Sequence, residues 1–409
     1  MVHRNQRRRT GRRPSLTPAF KHEAAYPGCG GAIRPHADAL PGIRVLADYC
    51  GRMGARLRVV LDQLTHVVDA DQAAAASDLA AALVATAPAG CVVDAIVPSG
   101  TEVTVPGISD IRRLSLARRE LAGSWQLGIV AGVGGGLIHS PTLMAPLVRH
   151  DRVHDHDQTT VTVWDLQAWD APGCLSKTRV AWERGMLKRA VKHADAVVVP
   201  SHAIGARLVE IAKLGNRIRV IPGAAPSGFV VPFDAATRRQ ALSMPAAYVV
   251  LTGSADSLAQ GFRAALAAGT DAVVLDAPEG SEPKLAEIAA SVGLPESRAH
   301  IRGVLSADDR AAVFASASAL VATSTIASWP WRVVEAMTLG VPVVAAESGV
   351  HHDVIADGGV VVDPESMPDA VVDAVGDSGR RLSVLGADRS RSFSWLGAAE
   401  RVWGLHADL

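Results

Sequence analysis

The sequence predicts an α/β protein of two doubly wound halves facing a cleft, each half a parallel sheet wrapped by helices. From about residue 56 onward, short Val- and Ala-rich runs alternate with helical stretches. Such alternation implies parallel strands joined by right-handed crossovers. The rhythm stops at 224–247, where three prolines appear and no strong strand, and restarts at Tyr248. Finally, 409 residues that are 48% hydrophobic but only 4% aromatic supply two cores of β-branched strands and Ala-rich helices.

Taken in order, "RLRVVLDQL" (56–64) reads as a strand and 71–86 as an Ala-rich helix. "CVVDAIVP" (91–98) is the next strand, followed by a less regular region with a helix expected around 111–121. "GLIHSP" (136–141) and "TTVTVWDL" (159–166) are strands; an amphipathic helix covers 177–194 and leads into "AVVVPS" (196–201). A helix over 202–213 and the strand "IRVIPG" (218–223) close this half. The second half repeats the scheme, with strands at 248–254, 272–278, 300–306, 319–324, 341–348 and 359–364. Ligands of such folds sit at the carboxyl ends of the strands. The expected division is a basic, disordered extension (1–52), an N-terminal domain (53–225), a linker (226–247), a C-terminal domain (248–390) and a closing helix (391–409).

Charge separates the extension from the rest. Residues 1–52 carry ten basic and three acidic side chains, whereas the whole chain balances 41 against 41. The remainder is therefore acidic, which argues against nucleic acid as a partner. The charge-free stretch 311–331 is broken by Ser, Thr and Pro330, so it reads as a buried helix and strand. The four cysteines lie far apart, with no CxxC pair or metal-like spacing. "GVGGGLIHSP" precedes a strand instead of opening a helix, and so reads as a turn. The adjacent His351 and His352 cannot share one helix face, which argues against a metal there.

The densest signal is "WPWRVVEAMTLGVPVVAAESGVHHD" (329–353). Its helix carries Glu335 near the start, where backbone N–H groups attract anionic oxygens. A carboxylate there can accept two hydroxyl hydrogen bonds, as recognition of a ribose diol requires.

"VVEAMTLGVPVVAAESG…GGVVVDP" closely resembles the signature of the retaining glycosyltransferases of family GT4 (glycosyl transferases group 1), which have the GT-B fold of two Rossmann-like domains. "TVWDLQAW", "ADAVVVPSHAIGARL" and "RIRVIPGA" resemble its N-terminal motifs in the same order. The resemblance implies a nucleotide-diphosphate sugar as donor, no cofactor and no metal. It places Glu335 on the donor ribose, with Trp331 and Arg332 opening the same helix. Gly253 and Ser254, at the end of the first C-domain strand, approach the donor from the other side. Asp165, from the family's His-Asp pair, is the candidate catalytic residue.

Several positions depart from the family pattern. Its first donor-site glutamate falls at Ala327, and its phosphate-binding Arg and Lys fall in a region holding Leu258, Ala259 and Gln260. Arg263 is a weak substitute. The glycine loop after the first strand is missing, and the family histidine is Trp164. His150, His154 and His156 are expected to be solvated. The predicted function is sugar transfer to a sugar or lipid-linked acceptor in envelope polysaccharide or glycolipid assembly. The alternative is a catalytically weakened GT-B protein that scaffolds an active relative. A cytoplasmic location is expected, with peripheral contact to the inner membrane face as a further expectation.

Overall fold

A computed structural model describes residues 55–151 and 156–409, all within one compact unit. The basic extension and His154 lie outside the described residues. The first sheet contains β1 (Arg56–Val60), β2 (Val92–Val97), β3 (Ile111–Arg113), β4 (Leu137–Ser140), β5 (Gln158–Thr162), β6 (Ala196–Val199) and β7 (Ile218–Val220). Its order is β3-β2-β1-β4-β5-β6-β7, and every pairing is parallel.

The second sheet contains β8 (Tyr248–Thr252), β9 (Asp271–Val274), β10 (Ala299–Ile301), β11 (Ala319–Ala322), β12 (Val343–Ala346) and β13 (Val360–Val362). Its order is β10-β9-β8-β11-β12-β13, again parallel throughout. Both sheets reverse winding direction beside their first strand, between β1 and β4 and between β8 and β11. Those switch points open the crevices where ligands of such folds bind. The central strands are buried on both faces, which explains why they read as continuous Val, Leu and Ala.

Local chemistry sets the helix starts. Asp69 accepts from Gln72 N, Ser201 from Ile204 N, Ser306 from Asp309 N and Ser394 from Gly397 N. One expectation needs correction. Residues 111–113 form edge strand β3, and the helix begins only at Arg118 (Arg118–Leu127). "IRR" is short and charged, so only tertiary pairing with β2 makes it a strand. The segment 224–247 also contains a helix, Ala235–Ala241, pinned by Arg238 to Asp234 and Asp309.

The final helix, Trp395–Asp408, returns to the first sheet. Trp403 Nε1 donates to Leu83 O at 3.1 Å, and Trp395 Nε1 donates to Ala225 O at 2.8 Å. At its end His406 lies 2.9 Å from Gln158 Oε1 and 3.3 Å from Thr160 Oγ1. Thr160 Oγ1 lies 2.8 Å from His139 Nδ1, and His139, Thr160 and His406 are all buried. Burial pushes His139 down to about 4 and, with His139 beside it, His406 down to about 3. Among the described residues, no helix is long and apolar enough to cross a membrane.

Candidate functional site

The cleft between the sheets is bridged by backbone beside Asp165. Beyond β5, Trp164 O accepts from Trp329 N at 2.9 Å and Leu166 N donates to Ala327 O at 2.8 Å. The two bonds make an antiparallel bridge between Asp165 and Ser328. Aromatic rings fill the space beside it. Trp164 packs 5.0 Å from Trp331, Trp329 lies 6.3 Å from Trp331, and Trp395 joins at 6.4 Å from Trp164. The Trp164 indole is fixed by donation to Pro141 O at 2.7 Å. Gly223 makes room for the rings: a Cβ there would meet Trp329 Nε1 at 2.9 Å and Trp164 Cζ3 at 3.0 Å.

Beneath the rings lies a charged network that the sequence does not announce. Glu335 is 1% exposed, and Arg310 grips it, with Nη2 to Oε1 at 2.7 Å and Nε to Oε2 at 3.0 Å. Arg332 Nη1 donates to Glu335 Oε1 at 2.8 Å and Nε to Asp276 Oδ2 at 2.8 Å. Its Nη2 crosses the cleft to both Asp71 oxygens, at 2.8 and 2.9 Å. Three carboxylates thus share two guanidinium groups. Burial, with Asp276 and Glu335 nearby, outweighs Arg332 and pushes Asp71 up to about 6. Arg310 and Arg332 are both engaged by these carboxylates.

The helix Trp331–Thr338 offers fewer free amides than its position suggests. Trp331 N donates to Trp329 O and Val333 N to Pro330 O, both at 3.0 Å. Gly253 and Ser254 follow β8 into a small polar cradle, where Ser257 Oγ lies 2.9 Å from Thr323 Oγ1. A Cβ on Gly253 would lie 2.1 Å from that threonine oxygen, so only glycine fits. Leu258 is buried in the helix Ala255–Ala267, and Arg263 points to solvent, reaching only Gln260.

Asp165 faces a separate pocket of about 510 Å³ at the carboxyl ends of the first sheet's strands, also lined by Gln72, Arg119, Arg179, Trp182 and Glu183. Its Oδ1 accepts from Gln167 N at 3.0 Å and its Oδ2 from Gln72 Nε2 at 3.3 Å. Burial, reinforced by Glu183, pushes Asp165 up to about 6. Arg179 Nε donates to Glu183 Oε1 at 2.7 Å. Deeper in, Arg118 binds the buried Asp62 at 2.8 Å. Asp165 thus faces a pocket, whereas Glu335 is buried in the ion-pair network.

The histidines fall elsewhere. His150 is not simply solvated: it lies 2.8 Å from Asp195 Oδ2, which holds its pKa above the usual value. His351 is buried against Ala346 O, and Asp353 Oδ2 accepts from Ala203 N across the cleft at 2.7 Å. Among the described residues, no group of three or more His, Cys, Asp or Glu is arranged to hold a metal ion. Sequence reading misses Asp71, Arg310, Asp276, Arg179 and Glu183. "SADDRAAVF" reads as an ordinary charged surface helix until tertiary structure buries Arg310. Only the Arg179–Glu183 spacing of four is a local signal.

This two-sheet architecture is the GT-B fold. Solved structures share it at low identity: HepE of Anabaena, in complex with UDP and glucose, superposes with a TM-score of 0.60 at 18% identity, over 87% of this chain and 100% of that one. Sucrose-phosphate synthase of Thermosynechococcus elongatus gives 0.59 at 19% identity, over 87% and 98%. A putative UDP-N-acetylglucosamine 2-epimerase of Listeria monocytogenes gives 0.52 at 14%, over 85% and 94%. Within the fold, residues 237–378 match the family described as glycosyl transferases group 1, in agreement with the sequence resemblance. A comparison with curated proteins returns no match.

Proposed function

We propose that this chain transfers a sugar from a nucleotide-diphosphate sugar to a hydroxyl-bearing acceptor. The observation that carries the reading is the meeting of Glu335, Arg310 and Arg332 at one end of the second sheet, inside the segment that matches glycosyl transferases group 1. HepE is recorded with UDP and glucose, so a UDP-sugar is the first donor to test. In this reading, Arg332 and Arg310 face the diphosphate and Glu335 accepts the ribose hydroxyls once the cleft opens. Gly253 and Ser254 approach from the end of β8, and Trp331 closes over the donor. The halves 53–225 and 248–390 move as domains about 226–247.

The acceptor occupies the pocket beside Asp165, whose carboxylate takes a hydrogen bond from the attacking hydroxyl. The acceptor oxygen forms the new bond to the anomeric carbon as the bond to the diphosphate breaks. The electron pair leaves with the diphosphate, and the hydroxyl proton passes to its departing oxygen. Retention of configuration follows from the family resemblance. A sugar or lipid-linked acceptor of envelope assembly, met at the cytoplasmic membrane face, fits a pocket that mixes charged and apolar lining.

Catalysis here is positioning plus stabilisation of the leaving group, and loss of one strong donor costs about 10²–10³ in rate. Calorimetry with UDP-, GDP- and dTDP-sugars, followed by transfer assays with anomeric NMR, tests the reading. Binding plus turnover is the expected result.

A second reading is favoured by a specific observation: the cleft is held shut by the 165–328 bridge and by the Arg332–Asp71 pair. Under it, the chain is a catalytically weakened partner of an active glycosyltransferase. Absence of any nucleotide-sugar binding at millimolar concentration decides for this second reading.

A further inference from the structure

We propose that Asp71 is an internal competitor for the donor's anionic end, a carboxylate that occupies the Arg332 guanidinium until a diphosphate displaces it. The inference rests on the donor reading above. A guanidinium fork binds carboxylate and phosphate oxygens in the same two-pronged geometry, so one can stand where the other binds. Arg332 is 6% exposed and spends its donors on three carboxylates: Glu335 through Nη1, Asp276 through Nε and Asp71 through Nη2.

These three partners are not equivalent. Glu335 lies on the same helix as Arg332 and is independently held by Arg310. Asp276 follows β9 in the same sheet, so it travels with Arg332 when the cleft moves. Asp71 alone reaches over from the first sheet's side, in the first turn of the helix Ala70–Ala85, 261 positions away in the chain. It is also the surplus charge, since three carboxylates face two guanidinium groups. Like charges on Asp276 and Glu335 push it, and its side chain keeps 24% exposure through which an anion can approach. Its neighbour Gln72 donates to Asp165, so release of this turn loosens a contact in the acceptor pocket as well.

The ordinary alternative is that Asp71 only complements its helix dipole and ties the halves together. Anion binding separates the two. Inorganic pyrophosphate and UDP are titrated calorimetrically into the full chain, Asp71→Asn and Asp71→Glu at pH 7.5. The expected result is binding about tenfold tighter in Asp71→Asn, the change that release of one partly buried ion pair brings. Asp71→Glu, which keeps the carboxylate, should stay near the wild type. Equal or weaker binding by Asp71→Asn, with measurable binding by the wild type, overturns the competitor and leaves the donor reading standing. No binding by any of the three chains at millimolar ligand overturns both. If circular dichroism shows that Asp71→Asn is unfolded, Asp71→Ser carries the same expectation.

Discussion

Glu335 holds together groups that would otherwise be expensive to bury. With its side chain 1% exposed between Arg310 and Arg332, Glu335→Ala leaves two guanidinium groups facing each other without their shared anion. Breaking a buried pair from one side costs about 3–5 kcal/mol, so the variant's urea midpoint should drop sharply even without ligand. An unchanged midpoint would contradict that cost. His139 and His406 make the opposite kind of residue-scale statement. Both have folded pKa values below the ordinary 6.5, about 4 and about 3, so the unfolded chain takes up protons that the folded one refuses. Their contribution is complete above pH 6.5 and is lost as pH falls toward those values, at up to ~1.4 kcal/mol per pH unit for each histidine. Denaturant midpoints from pH 7.5 to 4.5 should fall accordingly, and His139→Leu/His406→Leu should remove that part of the slope. Identical slopes in both chains would count against buried neutral imidazoles.

Among the elements, the segment from Trp329 to Thr338 depends most on its surroundings. Its helix has no side-chain cap, and its first strong anchor is the backbone bridge to Trp164 and Leu166. Gly223→Ala tests that dependence, because the added methyl meets Trp329 and Trp164 at 3.0 Å or less. Overpacking of this kind costs about 1–3 kcal/mol. Hydrogen exchange should quicken at the amides of Trp329 and Leu166 before it does so in β12, and uniform protection would refute the link. The same segment marks how far the sequence could be read. Its helix, the stop at Gly340 and the buried strand after it are encoded within some twenty residues, and so are the alternating elements on either side. The partners of Glu335 are not: Arg310 is 25 positions away, and Asp71, bound to Arg332, is 261 positions from it. Pairing at that separation leaves no periodic trace. Strand β3 escaped for a related reason, since its three residues are strand only because β2 lies beside them.

For the whole molecule, the connection between the sheets and the final helix set the mechanical behaviour. Residues 228–233 present Val230, Val231 and a fully exposed Phe233, whereas Ala235–Ala241 is pinned by ion pairs to Asp234 and Asp309. Brief chymotrypsin treatment should therefore cut first at Phe233, and initial cuts within β12 or β13 would contradict that order. Because Trp403 and His406 complete the packing of the first sheet, the half built from the earliest residues is finished by the latest ones. On a ribosome adding about 5–20 residues per second, roughly 10–40 s pass between the emergence of β7 and that of the last helix. Throughout that interval the Ala70–Ala85 face and the His139 cavity stay uncovered, so a chaperone has its longest opportunity on the half synthesised first. A stop codon near residue 394 would make that interval permanent, damaging the amino-terminal sheet without altering any residue in it.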